Sequence, residues 1–191
     1  MNTKELLYKK LEIIADKNLR KTCEKVLSDE KFFIWPASLS YHHNCIGGLA
    51  AHTLEVWEIA ENISCSRFVQ WSDMEVIAAA CIWHDFLKTE EYLLADSPIP
   101  NQRALQYEDK FFVKKAGEDS GHSHIINGAK AFREEAEKNG VAGELIKAVE
   151  HCILSHHGYV PEWGSPIAPK TLEAMIVHQA DMLSAKAGIL K

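Results

Sequence analysis

Residues 76–86 read VIAAACIWHDF, eight consecutive apolar or small residues that end on Trp83 and then His84-Asp85. A helix that is apolar on almost every side belongs at the centre of a helical fold. Here it delivers two strong metal ligands at the point where it surfaces. A His-Asp pair alone means little. It gains weight from His52 upstream and from His122, His124, His151, His156, His157 and Asp181 downstream. Imidazole and carboxylate are the ligands that suit Mn, Fe, Zn or Ni. The distribution therefore predicts a metal centre assembled from several helices.

Working outward, Ser72-x-x-Glu75 reads as a capping box that opens this helix. Upstream, GLAAHTLEVWEIAENI has helical spacing, with Leu49, His52, Val56, Ile59 and Ile63 on one broad face. Leu6, Leu7, Leu11, Ile14 and Leu19 predict an amphipathic helix within the first thirty residues, and Trp35-Pro36 breaks the pattern that follows. Downstream, 88–120 loses helical period, and QYEDKFFVKK within it reads as a small hairpin near 105–116. Helices are predicted again over 124–138, 143–157 and 171–187. The fold class expected is all-α, one domain over residues 1–191.

Composition narrows the class. With 47% hydrophobic and 25% charged residues, a 191-residue chain can bury one substantial core. No apolar run reaches the roughly 18 residues of a membrane span, and MNTKELLYKKLEIIADKN lacks a signal-peptide core; the expected setting is the cytoplasm, with no membrane partner. The five cysteines are odd in number and form no C-x-x-C pair, which argues against disulfides and thiolate zinc. A net charge of −6 gives no footprint for long nucleic acid.

On geometry alone, adjacent residues such as His84 and Asp85 stand about 100° apart on a helix. Both reach one metal near a helix end or bend, or else one of them bridges to a second metal. Asp181, an acid in the apolar setting IVHQADML, is costly to bury unless paired or metal-bound. Gly158 is placed to stop the helix that ends on His156-His157. Lone histidines such as His151 and His178 read as ordinary helix residues with local partners.

The order His … His-Asp … His … His-His … Asp, with the stretches YHHNCIGGLAAHTLEV, AACIWHDFLK, HIINGAKAF and ILSHHGYVPEWGSPIAPKTLEAMIVHQADML, resembles the HD-domain superfamily of metal-dependent phosphohydrolases. More narrowly, it resembles the catalytic domain of bacterial HD-type 3′→5′ exoribonucleases. The resemblance covers residues 41–186 and leaves 1–40 as a helical N-terminal extension. It implies an HD helical bundle and one metal held by His52, His84, Asp85 and Asp181. A second metal shares Asp85 and uses His124, His156 and His157. His124 is preferred to His122 because HIING keeps the family interval from His to Gly.

Lys88 stands where the family often contacts substrate phosphate, although Leu87 replaces the Gly that commonly precedes it. Those exoribonucleases carry an OB-type domain for which this chain has no room, so the chemistry carries over more firmly than the polymer substrate. Asp85 and Lys88 are the expected catalytic residues. His43 is expected to border the pocket, with Tyr159 and Trp163 stacking on a base or covering it, and His42 to lie at the surface. Arg103, Lys114 and Lys115 read first as solvated charge and, after Lys88, as further candidates for contact with substrate phosphate. The function expected is hydrolysis of a small phosphate ester or nucleotide, with short single-stranded nucleic acid as a further substrate. The alternatives are an HD-fold di-iron oxygenase and a non-catalytic HD sensor module.

Overall fold

The computed structural model describes residues 1–67, 69, 71–115, 123–159 and 164–187. Its first segment is two helices where the sequence predicts one. α1 (Thr3–Lys10) opens on an Asn2–Glu5 capping box and runs into a 3-10 turn at Leu11–Ile13. Asp16 then caps α2 (Lys17–Leu27), its side chain accepting from Leu19 N at 2.8 Å. The break comes from Asp16, whose carboxylate satisfies a helix N-terminus better than a helix interior. Leu7, Leu11, Ile14 and Leu19 are buried on both sides of it and join the main core.

After a 3-10 turn at Glu30–Phe33 the chain enters α3 (Gly48–Ser64) through Gly47, whose φ of +73° is left-handed. A Cβ on Gly48 would lie 2.0 Å from the His43 carbonyl oxygen. The Gly-Gly step therefore lets the His42-His43 loop press against the start of α3. α4 (Met74–Trp83) is the central helix, buried throughout Val76–Trp83, and it packs against α2, α3 and the later helices α7 (Gly143–Ser155) and α8 (Leu172–Ala187). Its cap is Asp73 rather than Ser72: the Asp73 carboxylate accepts from Glu75 N at 2.9 Å and Val76 N at 3.2 Å. Glu75 is drawn away to accept from Asp16 N at 2.8 Å, which ties the start of α4 to the start of α2.

A short helix, α5 (Lys88–Glu91), follows directly on the His-Asp pair. Beyond it lies a three-stranded antiparallel sheet in the order β1-β3-β2: β1 Tyr92–Ala95, β2 Leu105–Tyr107 and β3 Lys110–Lys114. The expected hairpin is the β2–β3 pair, turning at Glu108-Asp109 with Glu108 at φ +56°. β1 adds a third strand in the register Leu93↔Val113. Phe112 anchors the sheet edge-to-face on Trp35, with centroids 4.9 Å apart, and Trp35 Nε1 donates to Tyr92 O at 3.2 Å. α6 (Ser123–Asn139), α7 and α8 complete the bundle near the expected positions. Among the described residues no helix is long and apolar enough to cross a membrane.

Candidate metal centre

Five elements bring the ligand candidates together. His52 lies on α3; His84 is the C-cap of α4, and Asp85 sits in the turn before α5. His124 lies in the first turn of α6. α7 ends at Ser155, so His156 caps it and His157 follows; Gly158, at φ +70°, turns the chain away. A Cβ on Gly158 would meet the His178 ring at 2.5 Å, and that ring holds the His156 carbonyl through Nδ1 at 2.8 Å. Asp181 enters from α8. His84 and Asp85 thus sit at a helix end, where neighbouring residues can aim at one point.

The Asp85 carboxylate divides the centre in two. Its Oδ2 lies 3.5 Å from Nε2 of His52 and 3.5 Å from Nε2 of His84. Asp181 Oδ1 completes this half, 3.1 Å from His52 Nε2 and 4.0 Å from His84 Nε2. Asp85 Oδ1 faces the other half, 3.3 Å from His124 Nε2 and 3.6 Å from His156 Nε2. His157 joins it: donor atoms of Asp85, His124, His156 and His157 lie within 4.8 Å of one another. His157 Nε2 also stands 3.9 Å from Asp181 Oδ2, which links the halves a second time.

The donors fit divalent cations. Among the described residues Asp85 Oδ1, Asp181 Oδ2, His124 Nε2 and His156 Nε2 are buried without a hydrogen-bond partner. Polar atoms buried in that way are costly unless something else satisfies them. The opposite ring nitrogens, by contrast, are held: His84 Nδ1 by Cys81 O at 2.8 Å, His156 Nδ1 by Ile153 O at 2.7 Å, and His124 Nδ1 by Glu91 Oε1 at 2.8 Å. His52 Nδ1 meets Ser184 Oγ at 2.9 Å, and that hydroxyl donates to Glu55 at 3.1 Å. An acceptor at Nδ1 fixes the proton there and leaves the Nε2 lone pair facing inward, as a ligand requires.

Charge follows the same plan. Burial alone would push the Asp85 carboxyl up, but Lys88 and the surrounding imidazoles hold it well below the usual carboxylate range. Asp181 is likewise held down against burial by His52 and its neighbours. Burial keeps His84 neutral, with a pKa lowered to about 4. For His52 and His124 burial also opposes charge, yet their carboxylate partners outweigh it and raise both. Lys88 is buried too; its Nζ lies 2.6 Å from Asp85 Oδ2, and that contact outweighs burial and keeps the ammonium charged.

The remaining expected residues fall at the margin. His43 Nε2 lies 2.8 Å from Glu55 Oε2, with its ring 5.1 Å from that of His52. His42 is not a surface residue: it is half-buried, with its ring 4.5 Å from the His52 ring. Tyr159 is 73% exposed just past the His-His pair. His151 Nε2 accepts from Lys170 N at 3.0 Å, an ordinary local role. Trp163 and His122 lie outside the described residues. The sequence reading missed Glu91, Glu55 and Ser184, which orient ligand rings directly or through one another. The available signal was spacing: Glu55 follows His52 by three residues and Ser184 follows Asp181 by three, so each shares a helix face with a ligand.

The chain belongs to the HD domain family: the family model matches residues 49–186, a span that holds all seven ligand candidates. Curated relatives point the same way. The chain is similar to the 3′-5′ exoribonuclease YhaM of Geobacillus sp. (strain WCH70), 33% identical over 162 residues, covering 85% of this chain and 44% of the relative. It is similar also to the protein of that name from Listeria innocua, 27% identical over 91% of this chain and 50% of the relative. For the Bacillus licheniformis protein the identity is 29%, over 84% of this chain and 46% of the relative. The chain spans about half the length of these relatives. No solved structure gives a significant match.

Proposed function

We propose that the chain is a metal-dependent phosphohydrolase that uses two divalent cations, Mn by preference, to hydrolyse a nucleotide or short-oligonucleotide phosphodiester. One observation carries the reading: the two oxygens of Asp85 face separate imidazole sets, Oδ2 toward His52 and His84 and Oδ1 toward His124 and His156. A carboxylate placed so is suited to bridging two cations. His52, His84, Asp85 and Asp181 would hold one, and Asp85, His124, His156 and His157 the other. The relatives named as 3′-5′ exoribonucleases favour a diester of nucleic acid as the bond that is cut.

When bound, such a cation pair polarises a phosphoryl oxygen and lowers the pKa of water toward neutrality. The chain's own residues supply the frame. Asp85 stays ionised because Lys88 and the imidazoles hold its pKa down, so both oxygens remain anionic. Cys81 O, Ile153 O, Glu91 and Ser184 lock the rings in the tautomer that presents Nε2 inward. We assign Lys88 the neutralisation of phosphate charge, since its ammonium is buried, charged and beside the bridging carboxylate. His43 and Tyr159 are assigned to the substrate side of the pocket, and a cytoplasmic setting suits such a substrate.

The test is an Mn-supplemented panel of phosphomonoester and phosphodiester reporters, nucleotides, and short RNA and DNA. Turnover of diesters and oligonucleotides with monoesters left intact is the expected result. Monoester turnover alone would make the protein a nucleotidase. Oxygen uptake by the iron-loaded protein with no ester hydrolysed would overturn the reading.

A further inference from the structure

A cavity of about 390 Å³ lies between the 38–41 segment, the start of β1, the 101–103 loop and the end of β3. It shares a wall with the metal centre. Glu91 lines the cavity, and the same carboxylate accepts from His124 Nδ1 at 2.8 Å. The volume falls within the range of small-ligand sites.

Its chemistry is that of an anion site with an aromatic rim. Arg103 and Lys114 both line it. Lys110, on the same strand as Lys114, pairs with Asp96 at 3.7 Å, and Lys31 pairs with Glu90 at 3.2 Å. Among the described residues neither Arg103 nor Lys114 has such a carboxylate partner. Arg103 donates through Nη1 to Ser40 O at 3.1 Å, which fastens the 101–103 loop to the 38–41 segment and engages one of its five donors. A guanidinium fork and an ammonium at one concave site are the groups that take a phosphate. Tyr41 is 77% exposed at the rim, an aromatic face available for stacking. The protein as a whole is acidic, at −6, so two cations in one cavity with no carboxylate partner among the described residues mark a local preference for an anion.

We propose that this cavity binds the nucleotide unit next to the scissile phosphodiester of a single-stranded oligonucleotide, with Arg103 and Lys114 on its phosphate and Tyr41 against its base. The proposal rests on the phosphohydrolase reading above and adds to it a seat, built by Arg103, Lys114 and Tyr41, for the unit beside the bond that is cut. Arg103 and Lys114 come from the segment between Asp85 and His124, so the chain between two ligands of one half-site also builds the substrate seat.

The experiment measures binding of a fluorescein-labelled, phosphorothioate-linked short oligonucleotide to the full chain in EDTA, across a range of salt. The Arg103→Ala/Lys114→Ala double variant is expected to bind at least tenfold more weakly. Its slope of log affinity against log salt should fall by about 0.7, the change expected for one phosphate on a single strand. Tyr41→Ala is expected to lose about fivefold or more, the lower end of one stacked base. Arg103→Lys keeps the charge and should restore most of the slope, which separates phosphate contact from misfolding; circular dichroism checks the fold of each variant. Absent binding by the wild type, or affinity and salt slope unchanged in the double variant, would overturn the proposal. If binding follows the expected pattern while no diester is hydrolysed with Mn, the cavity stands and the phosphohydrolase reading falls. If diesters are hydrolysed and the variants bind as the wild type does, the cavity assignment falls alone.

Discussion

The two halves of the metal centre share Asp85 and differ in how far protein atoms satisfy them. In the half built on His52 and His84, charge meets charge: Lys88 Nζ lies 2.6 Å from Asp85 Oδ2, and Asp181 Oδ1 lies 3.1 Å from His52 Nε2. In the half built on His124 and His156, Asp85 Oδ1 lies 3.3 Å from His124 Nε2 and 3.6 Å from His156 Nε2, and all three atoms are buried without a hydrogen-bond partner. The first half is the better satisfied of the two, with Asp181 Oδ2 its one orphaned oxygen among the described residues. The second would be completed by a cation, and it is the half that should bind one more tightly, since unmet polar atoms gain most from a ligand.

The largest expected effect removes the shared residue. Asp85→Ala should lower hydrolysis about a thousandfold or more, the scale on which active-site electrostatics act, while far-ultraviolet dichroism stays helical. Wild-type turnover by that variant would end the account. Next come substitutions that address one half each. His156→Ala should abolish the tighter of two Mn equivalents in equilibrium dialysis, whereas His84→Ala should leave it and abolish the weaker one. The reverse assignment would break the comparison between the halves.

Smaller effects come from the residues behind the ligands. Glu91→Gln removes the charged acceptor from His124 Nδ1 and should weaken the tighter site by about 10- to 100-fold, as partners of metal-bound histidine do. Ser184→Ala removes a neutral acceptor from His52 Nδ1, and its effect on the weaker site should be milder. The smallest is pH dependence. His52 and His124 are raised above 6.5 by their carboxylate partners, so each holds its proton more firmly than an unperturbed histidine. A cation must displace those protons, so apparent affinity should begin to fall above pH 6.5 and go on falling as the solution is acidified. Affinity flat between pH 8 and 6 would show that neither ring is a ligand.

The helices were legible because buried periodicity and helix ends leave local marks, as in VIAAACIWHDF and at Gly158. The bundle reading and the membership of the HD family agree. The ligand candidates were legible by residue type and order, and the fold brings the ones named from the sequence to one place. What escaped were choices settled by distant contacts. Ser72 and Asp73 are both good helix caps, and Asp73 prevails while Glu75 is engaged by Asp16 N, a residue 59 positions away. Strand β1 is four residues long, too short to show a period of two, and it exists because β3 pairs with it. Glu91 carries no mark of its role until α6 brings His124 against it. His42 reads as a surface residue in the sequence because nothing in YHHN shows that the Gly47-Gly48 step folds the loop down toward His52.

The claim that Asp85 joins two cations is tested most directly by counting metal. The wild-type protein and Asp85→Asn are loaded with Mn, dialysed, and analysed for bound metal per chain. Two equivalents in the wild type and fewer than one in the variant is the predicted result, because Asn offers one neutral oxygen where two anionic ones are needed. Two equivalents retained by Asp85→Asn would contradict it.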